Sequence, residues 1–270
     1  MDTLTEKKKS LAERISSLGS AAVAFSAGVD SSFLARFAQE ILGDSLLAVT
    51  VNGVFMPKRE LESSTAFCRD YGIRQEIVSI DAMSIKEFRE NPPDRCYYCK
   101  KHIFTEIRRV AAEQGFENIL DGSNLDDLSD YRPGMRALSE LGIISPLKDA
   151  GLTKADIRQL SRELGLPTAG KPSFACLATR IPCGDSVTEQ KLSMAEAAEQ
   201  KLFELGFTQF RVRIHGTSAR IEILPEEFPL MLRNDTAAEI DRYLRRLGFI
   251  FVTLDLGGYR TGSTNSTLSV

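Results

Sequence analysis

The sequence contains no long apolar run. Nowhere in its 270 residues is there a stretch approaching the about 20 consecutive apolar residues that a membrane-spanning helix needs. The first residues, MDTLTEKKKSLAERI, also lack the apolar centre of a signal peptide. We therefore expect a cytoplasmic protein that has no membrane partner.

Positive charge does not predominate either. The chain has 34 Lys and Arg against 37 Asp and Glu, a formal net charge of −3. Proteins that coat nucleic acid carry a basic surface, so we expect no nucleic-acid partner, although a local basic pocket is compatible with this balance. A hydrophobic content of 43% and a charged content of 26% are typical of a globular protein, and the length suits one large domain or two small ones.

Cysteine is present in an odd number. In a reducing compartment we expect no disulfides, and clustered cysteines are better explained by metal binding or thiol chemistry. Cys68 lies within a predicted helix, where a cysteine is usually buried as a small hydrophobic residue. The five cysteines are Cys68, Cys96, Cys99, Cys176 and Cys183.

Short β-rich runs alternate with helical stretches through the first part of the chain. Such alternation predicts an α/β fold with a mostly parallel sheet covered on both faces, whose ligands bind at the carboxyl ends of the strands. The predicted strands are 21–25, 45–51, 74–80 and 117–120, and the predicted helices are 4–17, 31–42, 57–71 and 100–114.

The pattern changes after residue 170. A loop is followed by a helix over 187–205, two alternating strands within 210–223, a helix over 235–247 and a strand over 249–254. This αββαβ order predicts a smaller C-terminal α+β domain. The final residues, 257–270, are small and polar, and we expect them to be partly disordered.

The stretch VAFSAGVDSSFLA, residues 23–35, joins the first predicted strand to a helix through small and hydroxylated residues. Backbone N–H groups and the helix dipole form an anion site in such a turn, and Gly28 allows close approach of a ligand. No Gly-Lys-Ser/Thr follows, so this is not the mononucleotide P-loop. An ordinary turn in which Ser26 caps the helix is the simpler alternative. It does not explain Asp30, a carboxylate suited to hold Mg²⁺ on a pyrophosphate.

Residues 26–32, S-x-G-x-D-S-S, resemble the pyrophosphate-binding PP-loop of N-type ATP pyrophosphatases, usually written SGGxDS, with Ala27 in place of a commoner glycine. DGSNLDDLSDYRPG, residues 121–134, is similar to that superfamily's second segment, G-[ST]-N-x-D-D. The resemblance implies a PP-loop domain with an adenine nucleotide alpha hydrolase-like fold, which binds ATP and Mg²⁺ and cleaves ATP between the α and β phosphates. The residues that it places at ATP are Ser26, Gly28, Val29, Asp30, Ser31, Ser32, Gly122, Ser123 and Asn124.

Four further stretches resemble the LarE family of sulfur transferases, which act in nickel-pincer cofactor synthesis for lactate racemase maturation. They are NPPDRCYYCKKHIF (91–104), KPSFACLATRIPCG (171–184), FRVRIHGTSARIEI (210–223) and TLDLGGYRTG (253–262). The resemblance covers essentially the whole chain. It implies that ATP adenylates a carboxylate of pyridinium-3,5-dicarboxylate mononucleotide, that sulfur replaces AMP, and that the product passes to a nickel-inserting enzyme.

The same resemblance implies a homohexamer and assigns a different role to each of three segments of the chain. Residues 1–170 form the PP-loop ATP-binding domain, 171–186 an active-site loop, and 187–270 a C-terminal domain for substrate binding and oligomerisation.

A substrate with several anionic groups requires a cationic pocket. Arg180, Arg211 and Arg213 are candidates, because Arg binds phosphate and carboxylate through two parallel hydrogen bonds. Arg211 and Arg213 are two residues apart on a predicted strand and therefore share one face. The alternative to substrate binding is that this face is solvated and that its arginines pair with acidic residues such as Glu222. Lys100 stands where a helix is predicted to begin, which disfavours positive charge unless a ligand compensates. The family analogy places Lys100 near the activated carboxylate or phosphate.

The cysteines determine the expected source of sulfur. Cys96 and Cys99 form a C-x-x-C pair and Cys176 follows in the predicted loop, a set that suits a [4Fe-4S] cluster with one iron open to exogenous sulfide. In the alternative, the Cys176 thiolate attacks the acyl adenylate and β-elimination transfers its sulfur. Cys183 is a spare cluster ligand, a zinc ligand or a loop residue. Catalytic roles are thus expected for Cys176, Cys96, Cys99 and Lys100.

Two other classes of function stay open. One is a PP-loop enzyme that thiolates tRNA or forms an amide, and the other is a nucleotide-binding protein without catalysis. The acidic balance argues against a tRNA substrate and the three-cysteine set against amide formation. Asp30, together with the cysteines, argues against a protein that only binds nucleotide.

Overall fold

The computed structural model describes residues 3–129, 133–233 and 235–260. Most of the polar tail and the last two residues of TLDLGGYRTG therefore lie outside the described residues. None of the described helices is long and apolar enough to cross a membrane. In chain order the helices are α1 (Leu4–Ser16), α2 (Val29–Leu42), α3 (Lys58–Asp70), α4 (Lys86–Glu90), α5 (Arg95–Glu113), α6 (Gly134–Glu140), α7 (Pro146–Asp149), α8 (Lys154–Glu163), α9 (Glu189–Glu204), α10 (Phe228–Met231) and α11 (Thr236–Arg246).

The chain divides into two compact units. The first unit comprises Met1–Asp81 and Asp94–Ser173, and the second comprises Ala82–Pro93 and Phe174–Val270.

The first unit is built on a parallel sheet, which confirms the predicted α/β class. Its central strand, β1, is buried, as expected of a strand covered on both faces. Apolar residues of α1, α2 and α8, among them Leu11, Phe33 and Ile157, pack in the same core. The strands are β1 (Ala21–Ala24), β2 (Leu46–Asn52), β3 (Arg74–Ser79) and β4 (Ile119–Leu120), in the order β3-β2-β1-β4.

The strand order places both sequence motifs at one point of the sheet. β2 and β3 lie on one side of β1 and β4 lies on the other, and β1 pairs in parallel with both of its neighbours. Ligands of open α/β sheets bind at the carboxyl ends of the strands where the order reverses in this way. Residues 25–28 follow β1 there, and residues 121–124 follow β4.

The second unit contains a three-stranded sheet, β5 (Phe210–His215), β6 (Ser218–Ile223) and β7 (Phe251–Leu254). β5 and β6 are antiparallel, whereas β7 joins β6 in parallel through the crossover containing α11. Buried residues of α9 recur at helical spacing and face this core: Leu192, Ala195, Ala198 and Leu202. The element order agrees with the predicted αββαβ domain.

Residues 82–93, which the sequence pattern assigns to the first domain, belong to the second unit. Asn91, with a left-handed backbone at φ 57°, donates from its side-chain amide to the carbonyls of Pro182 at 2.6 Å and Asp185 at 3.0 Å. The Val187 N–H donates to the Arg89 carbonyl at 2.8 Å. These hydrogen bonds fasten residues 82–93 to the loop before α9.

Helix α5 begins five residues earlier than predicted. Pro93 disfavours helical backbone at the residue before it, so the helix starts after this proline, with Asp94 at the N-cap position. Cys96 therefore lies in the first turn of α5, and Cys99 and Lys100 lie in the second. The helix dipole acts mainly on the first turn, so the expectation that it disfavours the charge of Lys100 is wrong.

Candidate active site

The turn after β1 is held by a network of hydroxyl groups. The Oγ atoms of Ser26 and Ser31 lie 3.1 Å apart, and the Ser26 N–H donates to Ser31 Oγ at 3.3 Å. Ser31 Oγ in turn donates to the Gly28 carbonyl. Gly28 occupies the N-cap position of α2, and no described side chain caps this helix. The alternative in which Ser26 acts as the cap is therefore wrong, and the first N–H groups of α2 remain directed at the turn.

Ala27 occupies the position at which the PP-loop usually has a glycine. Its backbone is left-handed, at φ 53°, which costs a residue with a Cβ about 1–2 kcal/mol. The Ala27 carbonyl accepts a hydrogen bond from Lys171 Nζ at 3.0 Å, and Lys171 is also paired with Glu60 at 2.8 Å. These contacts hold the conformation that glycine would adopt without strain.

The segment after β4 packs directly against this turn. A Cβ built on Gly122 would lie 3.1 Å from the Ser31 nitrogen and 3.4 Å from the Asp30 carbonyl carbon. Asn124 donates from its side-chain amide to Asp30 Oδ1 at 3.4 Å, and Ser123 is buried beside it in the chain. The structure thus brings together the residues that the two motifs predicted at ATP.

Asp30 forms an ion pair that the sequence analysis does not anticipate. Lys154 Nζ lies 2.5 Å from Asp30 Oδ2, and the two side chains are 34% and 22% exposed. Lys154 is the first residue of α8, where a positive charge opposes the helix dipole, and its N–H donates to Asp126 of the second motif at 2.9 Å. A lysine directly after the capping residue Thr153 is the one local signal at this position, because positive charge is unfavourable at the start of a helix, but the sequence does not indicate that Asp30 is its partner.

Asp30 fits the role of a magnesium ligand. In nucleotide sites Mg²⁺ is usually bound by one or two carboxylates together with phosphates and water. Asp30 stands in the first turn of α2 and reaches solvent, with its charge balanced by Lys154. Within the described residues of either unit, no group of three or more His, Cys, Asp and Glu side chains is arranged to hold a metal.

Cys96 lies in the first turn of α5 and Cys99 lies three residues later, about one turn along and therefore on the same side of the helix. Cys96 is exposed and Cys99 is partly buried. Lys100 lies against the start of α6, with its side chain close to Gly134. Lys101 pairs instead with Glu140 at 3.0 Å. Lys100 and the two thiols thus share the first two turns of one helix.

Cys176 immediately precedes a short helical turn, 177–180, in the second unit. Arg180 is fully buried and bonds Glu199 at two points, 2.6 and 2.9 Å. It also donates to the carbonyls of Ala175 and Cys176, at 3.1 and 3.3 Å. Burial alone would raise the pKa of Glu199, but the charge and hydrogen bonds of Arg180 outweigh burial and hold that pKa below its ordinary value. Arg180 therefore fixes the backbone that carries Cys176, and its contact with substrate stays a prediction.

Arg211 and Arg213 are buried on β5, at 3% and 6% exposure, so this strand face is not solvated, although the pairing with Glu222 that the alternative included is present. Arg213 pairs with Glu222 at 3.0 Å and donates to the Thr179 carbonyl at 2.7 Å. Burial, with repulsion from Arg180 as the next cause, lowers the pKa of Arg211 to about 10. A desolvated cation of this kind is stabilised by an incoming anion.

The cysteines are distributed over both units and none of the five forms a disulfide. Two thiols one helical turn apart, Cys96 and Cys99, fit neighbouring ligands of a cluster, while Cys176 belongs to the second unit. Cys68 is buried in α3, where burial raises the pKa of its thiol to about 12, as expected of an inert core residue. Cys183 is exposed and lies 3.4 Å from the Asn91 carbonyl.

Comparisons with known proteins agree with this geometry. Residues 3–102 match the family described as NAD synthase. The chain is 37% identical, over 98% of its length and 99% of the relative, to an uncharacterized protein of Synechocystis sp.. It is 37% identical, over its full length and 97% of the relative, to a pyridinium-3,5-bisthiocarboxylic acid mononucleotide synthase of Lactiplantibacillus plantarum. A glutamine-hydrolyzing GMP synthase component of Thermococcus kodakarensis is 31% identical over 61% of the chain and 56% of the relative.

The extent of each match distinguishes proteins that share one domain with this chain from proteins that share its whole length. The NAD synthase match ends at residue 102, and the GMP synthase match covers only part of the chain. The likeness to the bisthiocarboxylic acid mononucleotide synthase extends through both units. The chain therefore belongs to the LarE family, and it is an ATP-dependent enzyme of the PP-loop pyrophosphatase superfamily.

Proposed function

We propose that the protein is a sulfur transferase that adenylates a carboxylate of pyridinium-3,5-dicarboxylate mononucleotide and then replaces AMP with sulfur. The observation that carries the proposal is the PP-loop turn with Asp30 and the adjoining Gly122 segment, in a chain that matches the Lactiplantibacillus synthase over its full length. A carboxylate is a poor electrophile because its oxygen is a poor leaving group. Adenylation supplies a better one, at the expense of ATP cleavage to AMP and pyrophosphate.

In this proposal the first unit binds ATP. The N–H groups of the turn and the hydroxyls of Ser26, Ser31 and Ser32 hold the pyrophosphate. Asp30 would hold Mg²⁺, and the metal would neutralise charge on the phosphates and on the pyrophosphate leaving group. Lys154, the ion-pair partner of Asp30, contacts a phosphate oxygen, which is an equivalent anionic partner for its ammonium.

In the second unit Arg211 and Arg213 bind the anionic groups of the pyridinium nucleotide, and Lys100 of the first unit contacts the activated carboxylate or phosphate. A [4Fe-4S] cluster held by Cys96, Cys99 and Cys176 would supply the sulfur from exogenous sulfide. In the alternative, the Cys176 thiolate attacks the acyl carbon and expels AMP. A base then removes the Cys176 α-proton, the Cβ–S bond breaks, and dehydroalanine and a thiocarboxylate result.

We further propose that the protein is a homohexamer and that its product passes to a nickel-inserting enzyme for lactate racemase maturation. The likeness to the Lactiplantibacillus synthase supports a thiocarboxylate nucleotide as the product to be passed on. The large exposed apolar side chains around β7, Ile250, Phe251 and Leu256, provide surface for contacts between copies of the chain.

The direct test is turnover of the purified protein, without oxygen, with Mg-ATP, sulfide and pyridinium-3,5-dicarboxylate mononucleotide. We expect AMP and pyrophosphate in equal amounts, and a nucleotide whose mass reflects exchange of oxygen for sulfur. Omission of the pyridinium nucleotide serves as the control and is expected to remove most pyrophosphate release. Formation of an amide with ammonia, or pyrophosphate release that ignores the nucleotide, would contradict the proposal.

Gly122→Ala is expected to raise the KM for ATP about tenfold, because the new methyl group forces the first turn of α2 out of place by a few tenths of an ångström. Gly170→Ala is the matched control in the same unit, since a Cβ on Gly170 meets nothing within 4 Å. Pyrophosphate release measured against ATP concentration gives both KM values. Equal KM values in the two variants would show that the second motif does not shape the ATP site.

A further inference from the structure

Lys171 is held at both of its backbone groups. Its N–H donates to the Thr168 carbonyl at 2.9 Å, and its carbonyl accepts a hydrogen bond from Arg158 Nη2 at 3.1 Å. Arg158 Nη1 also donates to the Ala169 carbonyl at 2.7 Å. Pro172 restricts the residue before it to extended backbone, and Lys171 has φ −59° and ψ 131°. The start of the Lys171 side chain is therefore fixed relative to α8.

The far end of this side chain is held by two oxygen atoms. Lys171 Nζ lies 2.8 Å from Glu60 Oε2 and donates to the Ala27 carbonyl at 3.0 Å. Glu60 stands in the first turn of α3, where the helix dipole favours a carboxylate. The side chains of Lys171 and Glu60 are only 16% and 9% exposed. The ammonium is thus fixed against the turn that follows β1.

The Ala27 carbonyl determines the direction of the next N–H group. A trans peptide bond is planar, so its C=O and its N–H point to opposite sides, and none of the peptide bonds in the described ranges is cis. The hydrogen bond from Lys171 to this carbonyl therefore directs the Gly28 N–H away from Lys171. In the proposed function the N–H groups of this turn bind the pyrophosphate of ATP.

The alanine at residue 27 makes such a restraint necessary. Ala27 has a left-handed backbone, which a residue with a Cβ disfavours and which glycine adopts readily. Without a restraint an alanine favours right-handed or extended backbone, and the Gly28 N–H would then point elsewhere. The hydrogen bond from Lys171 opposes this preference.

We propose that Lys171, supported by Glu60, is a positioning residue for ATP. It holds the Ala27–Gly28 peptide in the orientation whose N–H binds pyrophosphate, and so compensates for the glycine that is usual at residue 27. This inference rests on the proposed role of the turn in ATP binding and does not depend on the pyridinium substrate. Direct contact between the Lys171 ammonium and a phosphate is the competing role. The two roles predict different effects when residue 27 becomes glycine.

Binding of α,β-methylene-ATP with Mg²⁺ tests this without turnover, because the analogue cannot be cleaved between its α and β phosphates. We expect Lys171→Met to raise the Kd about tenfold, since the binding conformation becomes a minor state of the turn. In an Ala27→Gly background the same substitution should raise Kd about twofold or less, because glycine adopts left-handed backbone readily. Equal losses in the two backgrounds, or an unchanged Kd in Lys171→Met, would overturn the inference.

Glu60→Gln distinguishes the two roles by the sign of its effect. If Lys171 acts by positioning, Kd rises about threefold, because an amide oxygen holds the ammonium less firmly than a carboxylate does. If Lys171 contacts phosphate directly, the loss of its carboxylate partner makes the ammonium more available to the nucleotide and Kd falls. A fall in Kd would therefore contradict the positioning role.

Lys7→Met is the matched control. Lys7 Nζ is paired with Asp156 at 2.7 Å in the same unit, and the two side chains are 20% and 22% exposed. Asp156 keeps its capping hydrogen bonds with Thr153 when Lys7 is removed, so Kd is expected to stay unchanged. A rise as large as that in Lys171→Met would attribute the loss to general destabilisation and overturn the inference. If the unmodified protein does not bind the analogue, the proposed ATP site itself fails.

Discussion

Asp30→Ala is expected to reduce ATP-dependent pyrophosphate release by about 10³-fold or more while the protein remains folded. A bound metal contributes several kcal/mol of charge stabilisation in phosphoryl chemistry, and each 1.36 kcal/mol corresponds to a factor of ten in rate. Asp30 stands at the start of α2 beside the hydroxyl network, where phosphates and Mg²⁺ are expected to meet. Pyrophosphate release under saturating Mg-ATP, with thermal unfolding measured in parallel, provides the test.

Two further variants make this result specific. Asp44→Ala removes an exposed carboxylate from the same unit and is expected to leave the rate unchanged. Lys154→Met removes the other half of the ion pair and is expected to raise the KM for ATP about tenfold, the value of one charge-assisted contact to phosphate. If Asp30→Ala retains a normal rate, Asp30 does not hold the metal. If Lys154→Met retains a normal KM, the lysine serves only to balance the Asp30 charge.

The first unit is largely predictable from sequence because its signals are local. Buried strands such as β1 and β2 are short apolar runs, and the small residues after β1 can form only a turn of few conformations. The sheet then brings 121–124 next to 26–32, because β1 and β4 are neighbours at the point where the strand order reverses. The ATP-site residues predicted from the two motifs consequently lie together.

Contacts between residues far apart in the chain are what the sequence does not reveal. Lys154 meets Asp30 across more than a hundred residues, and Asn91 binds carbonyls beyond residue 180. Arg180 is predicted to bind substrate, and the sequence pattern does not indicate that its side chain is also buried against Glu199. Nothing in the local pattern distinguishes an arginine that binds substrate from one that binds a core carboxylate. Such choices are made by tertiary packing.

The iron content of the protein distinguishes the two proposed sources of sulfur. We expect the protein purified without oxygen to contain about four iron atoms and matching acid-labile sulfide per chain, with an absorption spectrum typical of a [4Fe-4S] cluster. Cys96 and Cys99 provide two thiols on one side of α5, within its first two turns, and Cys176 is the expected third ligand. Cys96→Ala should therefore lose the iron. Cys68→Ala is the control, because Cys68 is a buried core residue of α3 whose removal leaves all three ligands in place.

A protein without iron would also distinguish the two mechanisms, because only the sacrificial mechanism alters Cys176 chemically. If no iron is present, repeated turnover with sulfide is not expected, and Cys176 becomes the donor. One turnover would then convert Cys176 into dehydroalanine, a loss of the elements of H₂S that mass spectrometry locates to this residue. Cys176→Ser would abolish thiocarboxylate formation under either mechanism, whereas Cys96→Ala would abolish it only if the cluster carries the sulfur. A Cys96→Ala protein that still forms thiocarboxylate and loses sulfur from Cys176 would establish the sacrificial mechanism and exclude the cluster as the source.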